Sequence, residues 1–217
     1  MKRYHLIPAL LITLVAVNSC LLKDVFTMEN VEEIVTVYGS ELINDVGTNY
    51  TVTQSQISDQ SWKVEGARYY AVFDILNRSL EINLKKLFKM EIVTPEAKAE
   101  LDPLPQDPVL LSGATVSGGY VNLVFETYKD KQGNYASHAI WQQEMENGSL
   151  KLYLYFDGNN ENPVYLEDSR LEMESHFVSI PLDRDITYSG ISLTTYILQQ
   201  DSEGKAKVIP YTYPFRG

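Results

Sequence analysis

From residue 33 to residue 213 the chain repeats one pattern: stretches in which apolar and polar positions alternate about every second residue, each closed by a cluster of Gly, Asn, Asp or Ser. Period two sends successive side chains to opposite faces of an extended backbone, so the pattern predicts strands that are buried on one face and wet on the other. In the first half it predicts strands over 33–38, 49–54, 67–76, 80–88 and 90–93. In the second half it predicts them over 120–128, 137–145, 150–157, 176–182, 190–199 and 206–213. Alternation is sharpest in Val121, Leu123, Phe125 and in Leu152, Leu154, Phe156. The one helical signal is Thr94-Pro95-Glu96, with an N-cap threonine and a proline in the first turn, running through Ala97 to Glu100.

Five short strands suit a small barrel, and six longer ones separated by turn residues suit an antiparallel, immunoglobulin-like sandwich. The expected fold class is therefore all-β, in two domains. Pro103, Pro105 and Pro108 fall within a stretch without apolar periodicity, which places the expected boundary in 102–112. The resulting division is a barrel over 31–104 and a sandwich over 105–217.

The first residues follow a different rule. Lys2 and Arg3 precede an apolar run from Leu6 to Val17, and the small polar pair Asn18-Ser19 follows it. This is the layout of an export signal. As a helix of about 1.5 Å per residue the run would reach about 18 Å, short of a hydrocarbon core of about 30 Å. Val17-Asn18-Ser19-Cys20 resembles the lipobox of bacterial lipoproteins, with an aliphatic residue three before the cysteine and a small one directly before it. That resemblance implies cleavage between Ser19 and Cys20, a diacylglyceryl group on the Cys20 sulfur and acylation of the new amino group. Residues 1–19 are then the signal and 20–30 an acylated tether. Cys20 is the only cysteine of the 217 residues, so the exported chain could form no internal disulfide and would rely on packing.

Charge narrows the partners. Removing Lys2 and Arg3 from the 18 basic residues leaves 16 against 29 acidic ones, a net charge of about −13. Such a surface repels phosphate backbones and anionic headgroups, which excludes nucleic acid as an expected partner. The expected partners are the membrane, through lipids on Cys20, and an envelope protein or glycan.

With the lipobox, a barrel-like first half and a sandwich-like second half in hand, the chain resembles the NigD-like lipoproteins of Bacteroidetes. The resemblance is carried by Val17 to Cys20, by Gly66-Ala67-Arg68-Tyr69-Tyr70-Ala71-Val72-Phe73-Asp74-Ile75 and by Gly119-Tyr120-Val121-Asn122-Leu123-Val124-Phe125. It implies an N-terminal OB-fold domain, a C-terminal β-sandwich and a lipid anchor at the outer membrane. It implies no activity and no functional residues. Leu21-Leu22-Lys23-Asp24 lacks the acidic cluster that surface-exported members carry after the cysteine, so the face of the membrane stays open.

Residues that carry chemistry are few. OB folds bind oligonucleotides and oligosaccharides on one barrel face. With acidic charge against the former, Trp62, Tyr69 and Tyr70 are the candidate ligand-facing aromatics, for stacking on sugars. Period two sends Tyr69 and Tyr70 to opposite faces, so one of them is expected in the core. The segment Asp157-Gly158-Asn159-Asn160-Glu161-Asn162, with Asp168 beyond it, spaces oxygen ligands like a calcium loop but departs from that pattern at Glu161, Asn162 and Pro163; a polar loop fits every residue. His138 and His176 stand alone in strand patterns. Glu144 with Glu146, Glu172 with Glu174 and Asp183 with Asp185 would place carboxylate pairs on one strand face, which in an acidic protein reads as solvated surface. No metal, cofactor or catalysis is expected. The expected role is a lipid-anchored binding or interaction module; the alternative is a fimbrial or envelope-assembly component that polymerises by strand exchange, with 207–213 as the strand to test.

Overall fold

A computed structural model describes residues 26–99, 105–130, 138–158, 171–200 and 205–215. Among these the chain is all-β and forms two compact units, divided between Lys89 and Met90. Cys20, Ser19 and the signal lie outside the described residues, as does nearly all of the 157–168 loop.

The first unit is a closed barrel of β1 (Met28–Tyr38), β2 (Glu41–Asn44), β3 (Asn49–Ser55), β4 (Arg68–Ile75) and β5 (Glu81–Lys89), in the order β1-β2-β3-β5-β4. β3 and β5 pair in parallel and the other neighbours antiparallel. This closed five-strand topology is that of an OB-like barrel. Its core is what alternation demands: Val35 and Val37, Leu42, Tyr50, Tyr69, Ala71, Phe73 and Ile75, and Ile82 and Leu84 point inward. Lys85 is an extra residue in β5, between the pairs Phe73–Leu84 and Val72–Lys86. This bulge shifts the inward set from Leu84 to Leu87 and turns the strand end outward.

Five strands were expected here, but a different five are found. The four-residue β2 completes the barrel, whereas 90–93 leaves it: β6 (Glu91–Ile92) pairs in parallel with Val178 and Ser179. β1 also begins at Met28, inside the stretch read as tether.

The second unit packs two sheets face to face. One has the order β14-β13-β11-β10-β7, and the other β6-β12-β9-β8. Their strands are β7 (Glu96–Ala97), β8 (Val109–Ser117), β9 (Tyr120–Asp130), β10 (His138–Glu146), β11 (Ser149–Asp157), β12 (Leu171–Pro181), β13 (Gly190–Gln200) and β14 (Ala206–Phe215). Val121, Leu123, Phe125, Val178 and Ile180 of one sheet meet Trp141, Leu150, Leu152, Leu154, Phe156 and Leu193 of the other, and Phe125 and Trp141 make an edge contact at 6.0 Å. The sandwich is not purely antiparallel: β11 and β13 run parallel, as do the short pairs β7–β10 and β6–β12. Hairpins are set by Gly118-Gly119 and Asn147-Gly148, two-residue turns whose φ values are all positive, as the twist of an antiparallel pair prefers.

Two expectations are corrected. The helix read over 94–100 is absent from its described part: Glu96 and Ala97 pair with Gln142 and Gln143, and the Lys98 N–H donates to the Gln143 carbonyl. One turn of helix closes too few hydrogen bonds to compete with a sheet edge. The boundary also moves from 102–112 to Lys89/Met90, because 91–98 and Val109–Ser117 both pair within the sandwich and Asp107 bridges to Phe156.

Candidate ligand groove in the barrel

The 12-residue connection from β3 to β4 folds back over the barrel end. Ile57 and Ser61 are fixed by local hydrogen bonds: the Ile57 N–H donates to Ser55 Oγ at 3.0 Å, and Ser61 donates to Asp59 through its N–H at 2.9 Å and its hydroxyl at 2.6 Å. These two donations hold the Asp59 carboxyl below its ordinary pKa. Trp62 follows and drops into the barrel core, 5% exposed, beside Tyr69, 7% exposed. Burial raises the Tyr69 hydroxyl above the usual tyrosine range.

Between this connection and the outward-turned end of β5 runs an open groove of about 670 Å³. Ile57, Trp62, Tyr69 and Leu87 form its apolar floor; Phe88, 38% exposed, stands at its side; Lys86, Lys89, Asp59 and Ser61 supply the polar rim. The Lys63 ammonium lies 5.3 Å from the centre of the Trp62 ring. Among the described residues Lys86 and Lys89 make no ion pair, and the buried Trp62 Nε1–H has no hydrogen-bond acceptor.

The three aromatics singled out from the sequence are thus divided. Trp62 and Tyr69 share the groove but sit too deep to act as open stacking plates. Tyr70 points to the outer face, as alternation requires; burial, together with the hydrogen bond its hydroxyl donates to Glu32, moves its pKa up to about 12, and its ring packs at 6.4 Å from Phe88. Sequence reading missed Lys86, Phe88 and Lys89, because the bulge at Lys85 breaks the alternation that would have assigned their faces.

The other candidates take ordinary structural places. His176 stacks on Phe125 at 4.9 Å and hydrogen-bonds Thr127 Oγ1 at 2.8 Å, inside the sandwich, whereas His138 is exposed on the other sheet opposite Asp157. Glu144 accepts hydrogen bonds from Tyr153 at 2.9 Å and Lys98 at 3.2 Å, which lower its pKa, while Glu146 pairs with Lys151. That cluster borders a second cleft, of about 480 Å³, whose charges are already neutralised in pairs. Glu172 is exposed and Glu174 half-buried on β12. Asp183 and Asp185 lie in a turn rather than on a strand, where Asp183 Oδ1 accepts from the Asp185 N–H at 2.9 Å. The Gly158 N–H is taken by the Asp107 carboxylate at 2.6 Å. No group of three His, Cys, Asp or Glu suited to a metal ion is found among the described residues, and no helix there is long and apolar enough to cross a membrane.

No protein-family model matches the chain, and no curated protein matches it significantly. Solved structures do. A protein of unknown function from Bacteroides vulgatus aligns at 17% identity over 88% of this chain and 93% of its own, with a TM-score of 0.56. A NigD-like immunity protein from Bacteroides caccae aligns at 18% identity over 88% of this chain and 97% of its own, also with a TM-score of 0.56. A toxin-related protein from Parabacteroides distasonis aligns at 18% identity over 85% and 93%, with a TM-score of 0.51. At these identities the likeness is one of fold. It extends over both units, and the resemblance to NigD-like proteins read from the sequence is met at that level.

Proposed function

With the fold shared with the B. caccae protein as its frame, we propose that this chain is a lipid-anchored protein of the bacterial cell envelope that works by binding rather than catalysis. The anchor is Cys20, and the finer location is the outer membrane. The binding surface is the barrel groove. What carries this reading is the make-up of the groove: an apolar floor beside two lysines that make no ion pair, and a buried indole N–H that finds no acceptor, among the described residues. Sites for small molecules are typically apolar concavities of about 300–1,000 Å³ with a few convergent polar groups. A buried donor left unpaired costs about 1–3 kcal/mol, which a ligand acceptor would recover.

The strand-exchange alternative gains little support. β14 is paired along its whole length with β13, and Pro210 and Pro214 stand opposite Tyr196 and Ser192. Prolines on an edge strand leave gaps in the row of donors that an incoming strand would need.

The chain has two tryptophans, Trp62 in the groove and Trp141 in the sandwich core. In a Trp141→Phe background Trp62 emission alone reports on the groove. Small-molecule fractions extracted from the bacterial envelope are expected to shift it saturably, and Phe88→Ala to weaken the effect. Emission that no fraction changes would overturn the groove as the binding surface.

A further inference from the structure

The rim of the groove has a charge opposite to the rest of the molecule. The exported chain is strongly acidic, and 21–107 alone holds 15 acidic against 8 basic residues. Yet the groove gathers Lys86 and Lys89 against a single carboxylate, Asp59, with Lys63 beside it over Trp62. Two other basic side chains of the barrel, Arg68 and Lys85, are spent on internal partners. Arg68 is forked onto Asp45 at 2.9 and 3.0 Å, and Lys85 is 2.6 Å from Asp74 and 3.0 Å from Asn30. Asp59 is itself engaged by two donations from Ser61, so it opposes an incoming anion less than a bare carboxylate would. Independently of the lysines, Trp62 Nε1 calls for an acceptor: it is a donor only, it is buried, and nothing among the described residues accepts from it. The remaining walls, Ile57, Tyr69, Leu87 and Phe88, are apolar or aromatic.

Resting on the groove being the binding surface, we infer that its ligand class is a small amphipathic anion, an apolar chain or ring carrying a carboxylate. The apolar body lies along Ile57, Leu87 and Phe88. The carboxylate is held between Lys86 and Lys89, with one oxygen accepting from Trp62 Nε1. Acidic charge around the groove keeps polyanions away, while the local lysines suffice for one compact negative head. Charge-assisted hydrogen bonds of this type are strong enough to discriminate by about tenfold or more between ligands with the same apolar body and different heads.

The probes are dodecanoate and dodecyltrimethylammonium, which share a chain and differ in the sign of the head, titrated calorimetrically below their micelle concentrations into the exported chain, Cys20 to Gly217. Dodecanoate is expected to bind at one site and the cation at least about tenfold more weakly. The double variant Lys86→Gln/Lys89→Gln, at exposed positions, and Trp62→Phe, which keeps a ring and removes the N–H, are each expected to weaken dodecanoate about tenfold. Added salt should weaken the wild type and leave the lysine variant nearly unaffected. If Trp62→Phe fails to fold by circular dichroism, the lysine variant and the salt series decide. Equal binding of both probes would overturn the choice of an anion and leave the groove as a binding surface. Absence of dodecanoate binding while an envelope fraction still shifts Trp62 emission would overturn the ligand class alone. No response to either would overturn both.

Discussion

Arg68, the first residue of β4, is buried and its guanidinium is forked onto the equally buried carboxylate of Asp45, with Thr36 Oγ1 at 3.2 Å as a third partner. Removing water from two charges is costly, and the pair survives because its geometry satisfies both partners at once. Arg68→Ala removes the guanidinium forked onto a buried carboxylate and is expected to cost about 3–5 kcal/mol in urea unfolding, whereas replacing both residues by apolar ones of similar volume should cost much less. A loss below about 1 kcal/mol for Arg68→Ala would mean that water reaches the pair. At this scale the sequence was informative only where period two held. The opposite faces of Tyr69 and Tyr70 could be read in advance, because they follow one another in an unbroken strand. The depth of Trp62 could not, since it sits on a connection whose path depends on tertiary packing, and the faces of Lys86 and Phe88 could not, since they follow a bulge.

Among the elements, long alternating strands were legible and short ones were not. β2 has only four residues, two of them Glu41 and Asn44, and exists because the β1–β2 turn delivers it to its neighbour. β6 and β7 are two-residue pairings defined wholly by the strands they join. β8 was hidden among the prolines that precede it, which mark a break in pairing, not a break between domains. The hairpins give the sharpest test of local chemistry. Gly148 has φ +78 and an added Cβ would stand 3.4 Å from Ser189 Oγ. Gly148→Ala is therefore expected to lower stability by about 1 kcal/mol or somewhat more, because alanine is strained in the left-handed region. A neutral or stabilising result by thermal melting would show that the turn relaxes to another type.

Over the whole molecule the class of fold and the order of its two units followed from the sequence, since many strands with regular punctuation leave few architectures open. The boundary did not, because composition marks irregular backbone while pairing decides which unit a segment joins. Two shortened chains separate the two ideas. A chain beginning at Met90 retains β6, β7 and Val93, which packs against the sandwich core; one beginning at Pro105 loses them. The first is expected to melt higher by about 4 °C or more. Equal melting temperatures would show that 90–98 adds nothing to the sandwich.

The proposed membrane location likewise belongs to the whole chain: its net acidic charge disfavours anionic lipid, and three acyl chains at about 0.8 kcal/mol per buried methylene would hold it firmly. Cys20→Ala removes the only thiol that could carry those lipids and leaves the basic start and apolar run that direct export. The deciding measurement is incorporation of labelled palmitate in the producing bacterium, read together with the mass of the N-terminal peptide, for wild type and Cys20→Ala side by side. The expected result is label and an acylated N-terminal Cys20 in the wild type, with neither in the variant, which stays uncut. Label in both proteins, or a wild-type N-terminus anywhere other than an acylated Cys20, would contradict the anchored binding protein described above.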